Sequence, residues 1–166
     1  MRVGLIADTH GLLRPEVAAA FEAVDHIVHA GDVGSPEVLE GLSAIAPVTA
    51  VWGNVDPPEL RAVLPEVARV TLGGARVVVV HGDQLGSPTP ERVAAAHPEA
   101  DLVVFGHSHR PVIDLVGDLV AVNPGSAGRR RFSNPVSVAL ADLDAGSVSA
   151  RLVTLGEDPG TAPYSR

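Results

Sequence analysis

Three short apolar runs separated by two helix-like segments fill the first part of the chain, and that order leaves few ways to fold. Val3 to Ala7 reads as a strand ending in Asp8-Thr9-His10-Gly11. Pro15 opens a helix through about Ala23, because the first helical turn is where a missing N–H costs nothing. His26 to His29 is a second strand, ending in Ala30-Gly31-Asp32. Ser35, Pro36 and Glu37 are the N-cap, first residue and acidic first turn of a helix running to about Ser43. Val48 to Trp52 is a third strand, ending in Gly53-Asn54-Val55-Asp56, and Pro57-Pro58 argues against immediate continuation. Strand–helix–strand–helix–strand predicts parallel strands joined by right-handed crossovers. The carboxyl ends of such strands share one edge, so Asp8, His10, Asp32 and Asn54 are expected to converge.

The second half changes rhythm. Ala68 to Leu72 and Arg76 to Val80 flank Gly73-Gly74, a two-residue hairpin signal, and the second run ends in His81-Gly82-Asp83. Pro90 to about His97 reads as a helix. Residues 102–105 form a buried strand ended by Gly106-His107-Ser108-His109, which places two imidazoles in one loop. Val112 to Val116 and Leu119 to Val122 flank Gly117-Asp118, and Val136 to Asp142 and Ser147 to Val153 flank Asp144-Ala145-Gly146. Hairpins require antiparallel pairing, so antiparallel strands must join the parallel ones. The expected fold is α/β: a four-layer α-β-β-α sandwich of two mixed sheets flanked by helices. One domain over residues 1–155 is expected, with a loosely held tail at 156–166, where prolines and glycines are dense.

Composition narrows the function classes. The 166 residues carry no cysteine, which excludes disulfides and thiolate metal sites. A formal charge of −8 argues against a nucleic-acid-coating surface, which needs a basic stripe, so no stable nucleic-acid complex is expected. No apolar run approaches a membrane span and no signal-peptide layout opens the chain, so a cytoplasmic protein is the expectation.

Asp8, His10, Asp32, Asn54, His81, His107 and His109 all fall just beyond expected strand ends, and all are oxygen or nitrogen donors. Seven donors are too many for one ion but suit two if a carboxylate bridges. Mixed imidazole and carboxylate sets favour Mn, with Ni, Fe or Zn as alternatives, over Ca or Mg. Glycines before Asp32, Asn54 and His107 permit tight turns and close approach. Singly, each donor has a plainer reading as a turn former, helix cap or hydrogen-bonded core histidine. Jointly, four of seven histidines in such clusters weaken that reading. His26, His29 and His97 fit no ligand pattern.

As a set, Asp8-x-His10, Gly31-Asp32, Gly53-Asn54, His81-Gly82 and Gly106-His107-x-His109 resemble the signature of the calcineurin-like metallophosphoesterase superfamily. The small size and Asn123-Pro124-Gly125-Ser126 make the chain most similar to YfcE-type phosphodiesterases, whose fold the Vps29-like retromer subunits share. The resemblance implies one metal on Asp8, His10, Asp32 and His109, and a second on Asp32, Asn54, His81 and His107, with Asp32 bridging. It also implies in-line attack on phosphorus by a metal-bridging hydroxide, with a small phosphate ester as substrate. Larger members carry a histidine after the asparagine, the usual proton donor to the leaving group. Here Val55 stands there, as YfcE-type members also often lack that histidine, and Asp56 follows as a candidate catalytic group. Asp83 stands where many relatives carry a second histidine. Arg129, Arg130 and Arg131 are candidate phosphate contacts, with a solvated basic loop as the plainer reading. Two other readings stay open: a non-catalytic Vps29-like interaction scaffold, and a phosphomonoesterase or nucleotidase. The sequence also leaves room for a homo-oligomer.

Overall fold

The computed structural model describes residues 1–130 and 133–156. Its strands are β1 (Arg2–Ile6), β2 (His26–Ala30), β3 (Val48–Val51), β4 (Val67–Leu72), β5 (Ala75–Val80), β6 (Leu102–Val104), β7 (Val112–Val116), β8 (Leu119–Asn123), β9 (Ser137–Asp144) and β10 (Ser147–Thr154). Its α-helices are α1 (Pro15–Ala20), α2 (Pro36–Ser43), α3 (Pro58–Val63) and α4 (Pro90–Ala96). The expected tail lies, beyond Gly156, outside the described residues.

Two five-stranded mixed sheets stack face to face, in the orders β10-β9-β1-β2-β3 and β4-β5-β6-β8-β7. In the first, β1, β2 and β3 are parallel, while β9 runs antiparallel to β1. In the second, β5, β6 and β8 are parallel, and β4 and β7 are antiparallel edges. Side-chain alternation separates the layers. Val3, Leu5 and Ala7 face the core between the sheets with Val77, Val79, Leu102 and Val104. Ile6 instead packs outward against Val17 of α1, Val38 and Leu42 of α2, and Leu60 of α3. Val78, Val80 and Val103 pack outward against Val93 of α4. Because both faces of these strands are covered, the runs are continuously apolar. The four-layer arrangement expected from sequence is the one found. Among the described residues no helix is long and apolar enough to cross a membrane.

Every α-helix opens with a proline in its first turn. α3 is not expected from sequence, where Pro57-Pro58 reads only as a stop. Pro57 has extended dihedrals at the N-cap and Pro58 starts the helix, so the same pair ends one element and begins the next. Ser35 occupies the expected N-cap of α2 but makes no side-chain cap hydrogen bond. The last hairpin is tighter than expected: β9 continues to Asp144, which pairs with Ser147, leaving Ala145-Gly146 as the turn. Both turn residues have positive φ, the geometry that matches strand twist in two-residue hairpins.

Gly4 in β1 is dictated by packing. A Cβ there would meet three atoms of the fully buried Phe21 ring at 2.9 Å. Gly4→Ala is expected to destabilise the fold by about 1–3 kcal/mol through overpacking, read by chemical denaturation. A stability equal to wild type would mean that Phe21 can move aside.

Candidate metal centre

The pairing of β1 with β2 continues past both strand ends. Asp8 N–H donates to Gly31 O at 3.0 Å, His10 N–H to Asp32 O at 3.0 Å and Gly11 N–H to Val33 O at 2.8 Å. The loops that carry Asp8, His10 and Asp32 are therefore held in register with each other. Six non-glycine residues among those described have positive φ, and five are Asp8, His10, Asp32, His107 and His109, at 48–68°. This left-handed region is sparsely occupied by side-chain-bearing residues, with Asp and His among those that tolerate it. Such strain is retained only where the surrounding structure enforces it, and it gathers at functional sites.

The glycines beside these residues permit the approach. A Cβ on Gly53 would lie 2.2 Å from Asp32 Oδ1, one on Gly106 2.9 Å from Asp8 Oδ2, and one on Gly31 2.7 Å from His81 Nδ1. His107 N–H donates to Asp8 Oδ2 at 3.1 Å, which couples the β6 loop of one sheet to the β1 loop of the other.

Two donor groups result: Asp8 with His10 and His109, and Asp8 with Asp32 and His81, each with its ligating atoms within 4.8 Å of one another. Asp8 thus reaches both groups, whereas Asp32 belongs to one of them. His109 Nε2 lies 3.2 Å from Asp8 Oδ1 and 3.3 Å from His10 Nε2. Asp8 Oδ1 is buried without a hydrogen bond. His81 Nδ1 is 2.9 Å from Ala30 O, the geometry for donating its N–H to that carbonyl and turning Nε2 inward. There Nε2 faces two oxygens, Asp32 Oδ2 and Asn54 Oδ1, each at 3.2 Å. The His107 ring stands edge-on to His81 at 5.2 Å. A buried carboxylate oxygen without a hydrogen bond, and an imidazole nitrogen aimed at two acceptors, suit a cation between them, so the residues fit a divalent metal.

The electrostatics agree. Burial alone would lower the His81 pKa, but its hydrogen bond to Asp32 and the charges of Asp8 and Asp32 raise it to about 9. Burial would likewise raise the Asp32 pKa, yet the contact with His81 and the Val55 amide hold it below the usual carboxylate value. Val55 N–H donates to Asp32 Oδ1 at 3.0 Å. The pocket draws positive charge wherever it can.

Asp56 is buried and its two oxygens accept from the Gly34 and Gly53 amides, both at 2.7 Å. It clamps the loops after β2 and β3 together. Arg61 from α3 lies over the Trp52 ring at 4.9 Å and donates to Asp56 O at 2.8 Å and to Asn54 O. With α3 absent from the sequence reading, no signal pointed to Arg61. Thr9, between Asp8 and His10, donates its hydroxyl to Val33 O at 2.9 Å and is 2.9 Å from His29 Nε2. The hydroxyl hydrogen is spent on Val33, so His29 Nε2–H must donate to Thr9. His29 is fully buried beneath the site, so it cannot serve as a proton donor to a substrate. Its place just upstream of Asp32 was the available signal. Asn123 Nδ2 donates to Gly106 O at 2.9 Å and Ser108 Oγ at 3.1 Å, and Ser126 Oγ donates to Asp8 O at 2.9 Å. Asn123-Pro124-Gly125-Ser126 therefore ties the β6 loop to the β1 loop. Arg129 and Arg130 are exposed, and Arg130 lines a hollow with Val136 and Leu155. Arg131 lies outside the described residues. His26 pairs with Thr49 at 2.9 Å, and His97 Nδ1 lies 4.0 Å from Glu99. Neither joins the donor groups.

The model of the calcineurin-like phosphoesterase superfamily domain matches residues 1–146. The chain belongs to that superfamily. Among its relatives, a probable metallophosphoesterase of Methanothermobacter thermautotrophicus is 34% identical over 163 residues, covering 94% of each chain. Phosphodiesterase YfcE of Escherichia coli K12 is 35% identical over 120 residues, covering 69% of this chain and 63% of its own. The superfamily fold is shared with Chaetomium thermophilum Vps29, at a TM-score of 0.83 and 21% identity over 98% of this chain and 91% of that one. Membership implies divalent metal ions, and the two donor groups of this superfamily member are where they can be held.

Burial lowers the His29 pKa to about 4, so the folded protein resists a proton that the unfolded chain accepts below about 6.5. The unfolded state then binds more protons, and stability falls as pH drops from about 6.5 towards 4. Denaturation midpoints at pH 7.5 and 5 are expected to differ less for His29→Gln than for wild type. Equal differences would place the acid sensitivity elsewhere.

Proposed function

We propose that the chain is a binuclear metal-dependent phosphodiesterase, with residues 1–155 acting as one catalytic domain on a small phosphate ester. The observation that carries this reading is the buried Asp8 Oδ1, which has no hydrogen bond and lies between His10, His109 and the Asp32–His81 pair. The names of the relatives, metallophosphoesterase and phosphodiesterase, support the same class. As the resemblance implies, Asp8, His10, Asp32 and His109 would hold one ion and Asp32, Asn54, His81 and His107 the other, with Asp32 bridging and Asp8, the carboxylate shared by both donor groups, beside it. Two divalent ions, Mn in preference to Ni, Fe or Zn, supply Lewis-acid charge neutralisation and acidify water near neutral pH.

The chain's own residues do the rest. The Nδ1–H of His81 is held by Ala30 O, which aims Nε2 into the site where, once deprotonated, it would bind an ion. Asp56 and Arg61 fix the loop of Asn54 from behind, which makes them positioning residues. Asn123 and Ser126 fix the His107 and Asp8 loops in the same way. A Vps29-like scaffold is less well supported, because that likeness rests on fold and all seven donor positions are intact.

Reconstitution with Mn is expected to load two ions per chain by elemental analysis, with chelation abolishing hydrolysis of an aryl phosphodiester. At most one ion at saturation would overturn the binuclear reading. Asp32→Asn is expected to lower both metal loading and activity far more than His97→Gln. A folded His97→Gln protein that was equally inactive would show the ligand assignment to be wrong.

Val55 follows Asn54 and is 58% exposed, an apolar side chain where a proton donor would otherwise stand. Rate should therefore fall steeply as the leaving group becomes more basic. General acids typically contribute about 10²–10⁴-fold, and a gap of that order between aryl and alkyl diesters is expected. Val55→His, with both metals retained, should narrow it. Equal rates on good and poor leaving groups, with chemistry rate-limiting, would mean that another group delivers the proton.

A further inference from the structure

An open cavity of about 470 Å³ adjoins the metal centre on the side of His107. Its walls are the loop before α4, with Ser87 and Thr89, and the loop after β6, with Phe105, His107, Ser108 and Arg110. That volume suits a small organic group rather than a lone water cluster. The wall is built rather than fortuitous. Arg92 donates to Leu85 O at 3.3 Å and to Ser87 O at 3.0 Å, which fixes the outer loop from α4. Ser108 Oγ accepts from Asn123 Nδ2 at 3.1 Å and from the Arg110 amide at 3.4 Å. With its oxygen so occupied, the Ser108 hydroxyl has its hydrogen left to donate.

The charge of the lining is the decisive feature. The chain has 20 acidic against 12 basic residues, yet among the described residues no carboxylate lines this cavity and Arg110 does. Other arginines are spent on partners: Arg2 on Asp142, Arg69 on Glu99 and Arg76 on Asp101. Among the described residues, the Arg110 guanidinium has no hydrogen-bond or ion-pair partner. A planar, permanently charged fork beside a hydroxyl donor, in a lining whose described residues include no acid, suits carboxylate or phosphate oxygens. Pro90 and Val112, both half-buried in the wall, offer apolar surface for the atoms in between.

We infer that this cavity is a substrate subsite, and that the enzyme prefers phosphodiesters in which an esterifying group carries a second anion, a carboxylate or a phosphoryl group. Arg110, helped by Ser108, grips that anion while the scissile phosphate lies at the metal centre. This inference rests on the phosphodiesterase reading above and deepens it.

Symmetrical diesters make the test independent of which arm enters the cavity. Manganese-reconstituted wild type and Arg110→Gln, each checked for metal content, are compared on bis(4-nitrophenyl), bis(4-carboxyphenyl) and bis(4-phosphonophenyl) phosphate. The wild-type-to-variant ratio of kcat/KM on an anion-bearing diester is expected to exceed that on the nitrophenyl diester by about tenfold or more. Most of the difference should lie in KM, and Arg110→Lys should restore part of it. The anion giving the larger ratio identifies the group recognised. Equal ratios on all three diesters would overturn the inference while leaving the phosphodiesterase reading in place. Wild type inactive on all three would overturn that reading and this one with it.

Discussion

The β1–β2 hydrogen-bond ladder that runs on beyond its strands is the constraint on which the site depends. Strands of one parallel sheet end side by side, but their loops are ordinarily free to diverge. Here Asp8, His10 and Gly11 donate in turn to Gly31, Asp32 and Val33, so the loops leave the sheet as a pair. Two carboxylates are thereby brought together in a buried position, where mutual repulsion would otherwise part them. Imidazoles from the second sheet then surround them. Against the effect of burial, the negative charge of the two carboxylates acts on His81 and raises its pKa to about 9.

The second sheet contributes through backbone as much as through side chains. Gly106 N–H donates to His81 O at 3.0 Å, so the β5 and β6 loops are themselves joined. Ala30 O orients His81 across the gap between sheets, and the His107 amide grips Asp8 in return. Asn123 sits fully buried behind both, at the end of β8, with each of its amide groups in use. Deleting a partner in such a network leaves buried polar groups unpaired, which costs more than the bond itself contributes. The donors are thus held by a shell that has no direct part in binding an ion.

Left-handed backbone at five of the donors is the local expense of this geometry. It turns the chain sharply just beyond β1, β2 and β6. Close glycines at 31, 53 and 106 make room for the approach, and any side chain there would strike a donor or its backbone. Strain of this kind, of order 1–3 kcal/mol per residue, is sustained by the continuous apolar layers beneath.

How much of this was legible follows from which forces are local. The strands, the hairpin turns and three of the four helices announce themselves through periodicity, glycine pairs and prolines, since each reflects the preferences of adjacent residues. The donor types at strand ends were legible for the same reason, and parallel crossovers made their convergence an expectation. What the sequence left open depends on contacts between distant segments. That β9 closes on β1, and that β8 lies between β6 and β7, is settled by non-local hydrogen bonding and the burial of both faces. Pro57-Pro58 carries two meanings, and only packing of Leu60 against the sheet selects the helix. Asp56 reads as a candidate catalytic acid until the amides of Gly34 and Gly53 are seen to occupy its oxygens. Arg110 reads as one more surface arginine until its cavity, and its lack of partners among the described residues, are seen. Residue types and spacings carry the chemistry a chain can offer. Which groups are paired, buried or left exposed is fixed only when segments far apart in sequence share the same space.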